Sequence, residues 1–505
     1  MSCSQVGILE HDVLEVLSLV RSMKNTFAPI NRVPREVFSL IPEYCKTDEA
    51  LVALTHVCRG WRERFVSRSS LWTSLDCTNV EKTRVYLKRS KASPLEVRLG
   101  EEECAHFLED AFLLTVPHLG RLKGLSLSGS SNNLIQLVKH FGSPAPLLEK
   151  LKLNFTYIKT LVIQDTIFDG NFSSLRELHL SGVTANLDWT NFPNLLTFDL
   201  RHVPSNKMSV TRLLNFFERA SFLRKIYLHD AFPKSSDAPP GRAVSLPHLK
   251  YLKIVAQPAH TILLNHLLVP TGTSLNLEFD FNDNRPPIST YLPKTLKNLF
   301  HITSVNISFS LGMSLRLDGP SGTLYMLGSW VGVGPSPSVV DCRIFRSLSL
   351  FRISAAGRLA IIGYRAPAST KTEQSPVYQT LALMNNISTL TLIDCLNLPF
   401  IFALNPKQNS SRTIVCPELE ELVLYIRNKD RFCINELLEM VKERASSGAK
   451  LSIVTIVGFQ VFVPGKEVFK LKNHVSRVEY GLDDSAPEWD ALPTDVGGTG
   501  YESDW

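Results

Sequence analysis

Leu148-Glu149-Lys150-Leu151-Lys152-Leu153 and Leu175-Arg176-Glu177-Leu178-His179-Leu180 carry one pattern, apolar at i, i+3 and i+5. It returns as Leu122/Leu125/Leu127, Leu195/Phe198/Leu200, Leu223/Ile226/Leu228 and Leu249/Leu252/Ile254. In chain order the six copies start 26, 27, 20, 28 and 26 residues apart. The last two apolar residues of each copy point to one side of a short strand, and the first closes the turn before it. One copy alone cannot hide that face, so successive copies are expected to stack side by side.

A repeat of this length around L-x-x-L-x-L resembles leucine-rich repeats. Four later copies are spaced more widely: Ile302/Val305/Ile307, Phe345/Leu348/Leu350, Ile387/Leu390/Leu392 and Leu419/Leu422/Leu424. A degenerate copy between them is placed at Leu275-Asn276-Leu277-Glu278-Phe279. The Asn or Cys that regular repeats carry after the strand is replaced by varied polar residues. The fold class is therefore α/β, an irregular leucine-rich-repeat-like solenoid over residues 94–482. The competing reading is an unrelated α/β domain with several similar strands.

Between residues 310 and 370 the pattern blurs. Gly319-Pro320-Ser321-Gly322 and the segment from Gly332 to Ser338 are turn or loop signals, and Leu324–Leu327 and Leu359–Ile362 are short apolar runs. Ile434, Leu437, Leu438 and Val441 predict an amphipathic helix stopped at Gly448, followed by a strand over Leu451–Val457. Residues 483–505, rich in Asp, Gly and Pro, read as a disordered acidic tail. Residues 78–93 read as a basic linker helix.

Ahead of the array, within 1–29, Val6, Leu9, Val13, Val16, Val20, Met23 and Phe27 alternate in steps of three and four. This spacing predicts an amphipathic helix that either dimerises or lies on, or runs up to, the segment that follows. That segment reads Asn31-Arg32-Val33-Pro34-Arg35-Glu36-Val37-Phe38, then Ala50-Leu51-Val52-Ala53-Leu54-Thr55-His56-Val57-Cys58-Arg59-Gly60-Trp61-Arg62, then Leu71-Trp72. Pro34 suits the first position of a helix and Glu36 its first turn. Asp48 is placed to cap a second helix, in which Leu51, Leu54, Val57 and Cys58 keep the 3–4 spacing. Pro42 cannot donate to the carbonyl of Phe38, so the first helix should kink or end near Ile41.

Residues 30–77 resemble an F-box, a short N-terminal unit of three helices. The signature of that family is a Pro followed by Glu and an apolar pair, a Leu-rich helix running into Val-Cys-Arg and Trp-Arg, then Leu-Trp. The resemblance implies docking onto a Skp-type adaptor and, through it, a cullin–RING ubiquitin ligase. Carried over position by position, it assigns adaptor contacts to Pro34, Val37, Phe38, Ile41, Leu51, Leu54, Val57, Cys58 and Trp61. The physical reading agrees, because so small a unit carries more apolar surface than it can bury on itself.

No nucleophile, metal or phosphate motif is found among the 505 residues, so neither catalysis nor a cofactor is expected. The nine cysteines are scattered without Cys-x-x-Cys spacing and read as reduced, mostly buried thiols. No apolar run is long enough to span a membrane. The acidic residues near position 10 interrupt any signal-peptide core, so a cytosolic or nuclear location is expected.

Eight acidic residues and no Lys or Arg follow Arg477; removing those charges from the formal +6 leaves +14 for the rest. Such an excess attracts nucleic acid or acidic partners, but it is ordinarily a solvated surface, and nucleic acid is not the expected partner. The positions between and beside the inward pair of apolar residues are the better candidates for contact with a protein substrate: Lys152, His179, Arg201, Lys225, Tyr227, Tyr251 and Lys253. Adjacent cations and tyrosines suit an acidic or phosphorylated peptide segment.

Overall fold

The computed structural model describes residues 3–38, 40–45, 47–100, 105–129, 137–155, 161–163, 167–185, 192–202, 209–231, 241–256, 263–281, 301–309, 313–320, 322–330, 348, 351, 353–365, 373, 375–409, 413–426, 432–458 and 465–481. The chain is mixed α/β with mostly parallel strands, and it divides into two compact units, Met1–Val203 and Pro204–Trp505.

The first unit opens with a long helix, α1 (Cys3–Thr26), and a 3-10 turn at Pro29–Arg32. Then come α2 (Arg35–Phe38), a 3-10 turn at Ile41–Tyr44, α3 (Asp48–His56) and α4 (Arg59–Ser67). α2 stops at Phe38, before the expected limit at Ile41, and Pro42 lies in the tighter turn that follows. The cap of α3 also differs from expectation. The Thr47 hydroxyl accepts from the Ala50 N–H at 3.2 Å, one residue ahead of Asp48.

Asp48 instead pairs with Lys82 at 2.5 Å, and the same ammonium reaches Asp76 at 2.5 Å. Lys82 lies on α5 (Val80–Ser90), so this ion pair ties α3 to the next helix. Trp72, fully buried, packs edge-on to Tyr86 of α5 at 5.0 Å and donates its indole N–H to the Phe65 carbonyl at 3.0 Å.

The sheet of this unit is all parallel. It runs β1 (Ser74–Leu75), β2 (Leu95–Leu99), β3 (Leu122–Gly129), β4 (Lys150–Phe155), β6 (Glu177–Ser181) and β8 (Thr197–Arg201). A separate short pair joins β5 (Leu161–Ile163) to β7 (Val183–Ala185). Val97, Leu125, Leu151, Leu178 and Phe198 share one register, and all are 3% exposed or less. α6 (Ala105–Leu113) supplies Phe112 to a row of buried rings behind the strands. Phe112–Phe141, Phe141–Phe168, Phe168–Phe172 and Phe172–Phe192 are 5.6, 5.0, 6.2 and 5.3 Å apart.

In the second unit the main sheet runs β9 (Lys225–His229), β11 (Tyr251–Ala256), β13 (Ser274–Phe281), β16 (Gly322–Trp330), β15 (Met313–Gly319), β14 (Ser304–Ser308) and β17 (Arg358–Ile362). It continues through β18 (Thr389–Ile393), β19 (Glu421–Ile426), β20 (Ile453–Gly458) and β21 (Arg477–Gly481). All neighbours are parallel except β15, which is antiparallel to both β14 and β16. β10 (Val244–Ser245) and β12 (Leu267–Leu268) form a short parallel pair.

β15 and β16 thus pair as a hairpin with Gly319 opposite Gly322, and the two ambiguous apolar runs are strands β16 and β17. The degenerate copy at 275–279 is β13. The copy placed at Phe345/Leu348/Leu350 falls largely outside the described residues. A copy not read from the sequence lies further on at β17, with Ala356, Leu359 and Ile361 in the three apolar positions. The Ala356 N–H bonds to Ile353 O, as Leu175 does to Phe172 O. Phe345 and Leu350, the loop at 332–338 and the tail at 483–505 lie outside the described residues.

Beyond β18, α10 (Ile434–Ser446), counted after α7 (Val210–Arg219), α8 (Pro376–Leu383) and α9 (Leu398–Leu404), matches the predicted amphipathic helix. Its Arg444 is wholly buried and donates to the carbonyls of Val415 and Cys416, each at 2.8 Å.

A left-handed residue follows several strands: Gly182, Asp230, Gly363 and Asp394. Each donates its N–H to a carbonyl near the end of the next strand, for example Gly182 to Arg201 at 3.0 Å. A Cβ on Gly182 would lie 1.9 Å from the Phe155 carbonyl oxygen. Gly182→Ala should therefore cost about 2 kcal/mol or more, from the left-handed backbone plus the clash. A lowered urea midpoint for this variant is the measurement.

Candidate functional site

Three surfaces carry candidate residues, one built by helix spacing and two by strand alternation. The first is the N-terminal helical unit. Phe38, Trp61 and Phe65 form its core, with ring centroids 5.0 to 5.6 Å apart, and Ile41, Leu54, Cys58 and Leu71 pack against them. The Trp61 indole N–H donates to Asn31 Oδ1 at 2.7 Å, which fixes the entry strand of chain to α4.

Of the residues assigned to an adaptor contact, Phe38, Leu51 and Trp61 are therefore buried inside this unit. Ile41, Leu54 and Cys58 are half-buried, while Pro34, Val37 and Val57 are exposed. Val37 and Val57 expose 52% and 56% of their surface. Sequence reasoning left out Ile30, Leu40, Tyr44 and Val52, which are also exposed apolar side chains of the same unit. Their signal was present: a residue that breaks the inward 3–4 spacing of a short helix has nowhere to go but outward.

The second surface is the polar face of the sheet in Met1–Val203. Arg98, Ser126, Lys152, His179 and Asp199 stand in one register across β2, β3, β4, β6 and β8. The next row holds Ser128, Asn154, Ser181 and Arg201. Asp199 is the centre of this patch and is 5% exposed. Arg201 grips both its oxygens at 2.8 and 2.7 Å, and His179 Nδ1 lies 3.2 Å from Oδ2. Burial alone would push the Asp199 carboxyl up, but His179 and Arg201 outweigh it and hold the group below its ordinary value. Lys152, His179 and Arg201 are thus brought together, as the alternation predicted.

The third surface is the polar face of the sheet in Pro204–Trp505. Tyr227, Lys253, Asn276 and Tyr325 share a register across β9, β11, β13 and β16. Tyr227 and Tyr251 have ring centroids 5.3 Å apart, and Lys253 pairs with Glu278 at 2.7 Å. Asn276, 7% exposed, donates to the Tyr251 hydroxyl at 3.3 Å, and its own amide oxygen has no hydrogen-bond partner among the described residues. Burial, and secondarily the Glu278 charge, raise the Tyr325 hydroxyl. Tyr251 is raised by burial too. Lys225 is exposed at the edge of this group. Asn276, Glu278 and Tyr325 were not among the expected contacts, since the first two lay in a weak copy and the third in the blurred region.

Burial pushes the thiols of Cys77, Cys395 and Cys416 up to about 12, which leaves them protonated and unreactive near neutral pH. Among the described residues no helix is long and apolar enough to cross a membrane. Comparison with protein-family models finds no match, and no curated protein matches the chain.

Asp199 has a folded-state pKa below its unfolded one. The stability it adds is therefore complete above the unfolded value, about 3.9 for an aspartate, and is lost as pH falls through the lowered folded value. Asp199→Asn should destabilise the chain by about 1–2 kcal/mol at pH 7. That deficit should shrink at pH 3, where the parent has lost part of the same contribution. Urea unfolding of both proteins at the two pH values tests this.

Proposed function

We propose that the chain is a non-catalytic substrate-receptor subunit of a Skp–cullin–F-box ubiquitin ligase. In this reading residues 30–77 are an F-box that docks on a Skp-type adaptor. The strands that follow are an irregular leucine-rich-repeat-like solenoid that holds a target protein. Binding both at once raises the effective concentration of target lysines beside the charged ubiquitin-conjugating enzyme.

The observation that carries the proposal is an apolar surface left outward by a unit that already has its own core. Ile30, Val37, Leu40, Tyr44, Val52 and Val57 are 38% to 83% exposed, in the same stretch that holds the Pro34-to-Trp72 motif order. A standard interface needs about 800 Å² on each side, and clustered exposed apolar side chains are its usual material. The target surface in this reading is the polar strand face around Lys152, His179 and Arg201, whose side chains suit an acidic or phosphorylated segment.

Exposed residues give a test that leaves the core untouched. Val37→Asp combined with Val57→Asp should abolish recovery of a Skp-type adaptor in pull-down while the melting temperature stays within a few degrees of the parent. Equal recovery by both forms would rule out the ligase role.

A second reading is favoured by the attachment of the helices to the sheet. β1 pairs with β2, Trp72 is buried against α5, and Lys82 bridges Asp48 and Asp76. Here residues 34–66 are simply the N-terminal cap of a repeat scaffold that acts without a ligase. Deleting residues 1–68, which keeps Trp72 and β1, separates the two readings. A docking module can be removed with little change in the melting of the array, whereas loss of a cap unfolds or aggregates it.

A further inference from the structure

Every described side chain from Val6 to Phe27 is exposed, although α1 carries ten large apolar side chains. The helix does not lie on the helical unit that follows; it runs up to it through the turn at Pro29–Arg32. At 1.5 Å per residue its length is about 36 Å. In heptad terms Val6, Val13 and Val20 occupy one seam position and Leu9, Val16 and Met23 the other. These six are 48% to 65% exposed. A seam of this kind over three heptads calls for a second helix.

The charges say which helix and in which direction. Acidic residues fall only up to position 15 (Glu10, Asp12, Glu15) and basic ones only from position 21 on (Arg21, Lys24). The seam is flanked on one side by Glu10, Leu17 and Lys24, and on the other by Asp12, Leu19 and Thr26. In a parallel pair each flank meets the opposite flank of its partner. Asp12 would then face Leu17, and Leu19 would face Lys24. In an antiparallel pair like flanks meet. Glu10 then faces Lys24 of the other copy twice over, and Leu17 and Leu19 each meet their own counterpart at the centre. Only the second arrangement satisfies both the charges and the leucines, and it is self-complementary about a two-fold axis.

We infer that α1 is the dimerisation element of this protein, pairing antiparallel with α1 of a second copy. An anionic lipid surface is a poorer occupant, because the acidic half of the helix would be repelled by it. The inference is independent of the adaptor reading. The Val37→Asp/Val57→Asp variant should dimerise like the parent.

The test uses the full chain in sedimentation velocity over a range of concentrations. The parent should show a concentration-dependent monomer–dimer equilibrium. Glu10→Lys alone and Lys24→Glu alone each create two like-charge contacts per dimer and should weaken it by about tenfold. The two changes together restore both ion pairs and should return the affinity to near the parent's. These positions are exposed, so folding is not at stake. Orientation is read by oxidative cross-linking: Leu17→Cys should link to its own copy faster than Val20→Cys.

A monomer at all concentrations up to about 100 μM would overturn the inference. So would a dimer indifferent to the charge changes, or faster linking through Val20→Cys, which would mean a parallel pair. Pelleting of the parent with phosphatidylserine vesicles in place of self-association would assign the face to lipid instead.

Discussion

The structure depends on one constraint: apolar side chains of neighbouring parallel strands must stand at the same height. Leu99, Leu127, Leu153, Leu180 and Leu200 do so across five strands of the first unit, each 1% exposed or less. No single strand has a second layer of its own to bury that file. A slip of one residue would turn Lys152, His179 and Asp199 into the interior and the leucines out. The energetic gap between these alternatives is what lets a short, irregular repeat specify its pairing. The ring row from Phe112 to Phe192 closes the same core from behind.

The same alternation creates the polar faces. Once the leucines are turned inward, the residues between them have to share the other side with their counterparts on adjacent strands. Opposite charges then pair across the ladder, as with Lys150–Glu177 at 3.7 Å and Lys253–Glu278 at 2.7 Å. Asp199 goes further and gathers two partners, so it is buried and ionised at once. The N-terminal helices follow a different economy. Three aromatic rings satisfy their interior, and the remaining apolar residues are left for something else.

Much of this was legible from spacing. The strands at 122–129, 150–155, 177–181, 197–201, 225–229 and 251–256 coincide with the six regular copies, because leucine in an inward position is a large and unambiguous signal. The copy that ends in β17 was not read from spacing because its turn position is filled by Ala356. That small residue packs as tightly as leucine does elsewhere but does not stand out in a sequence. The cap at Thr47 was missed for the opposite reason: Thr47 and Asp48 are both good capping residues, and Asp48 has its better partner thirty-four positions away in Lys82. The ring row was illegible because its members lie in connections of unequal length. For the helical segment, burial of Phe38, Leu51 and Trp61 could be expected from periodicity, but which apolar residues remain outside depends on where α2 ends.

The hairpin of β15 and β16 bears on how the second unit assembles. Among the described residues β13 and β14 are consecutive in the chain but share no edge, since the two hairpin strands stand between them. Chain growth rung by rung, the usual course for stacked repeats, is broken at that point. The strands up to β13 and those from β14 on meet only through the hairpin, by pairings such as β13 with β16 that join distant parts of the chain. Long-range closure of this kind is slow relative to local pairing. The hairpin is the piece that joins two half-arrays into one ladder.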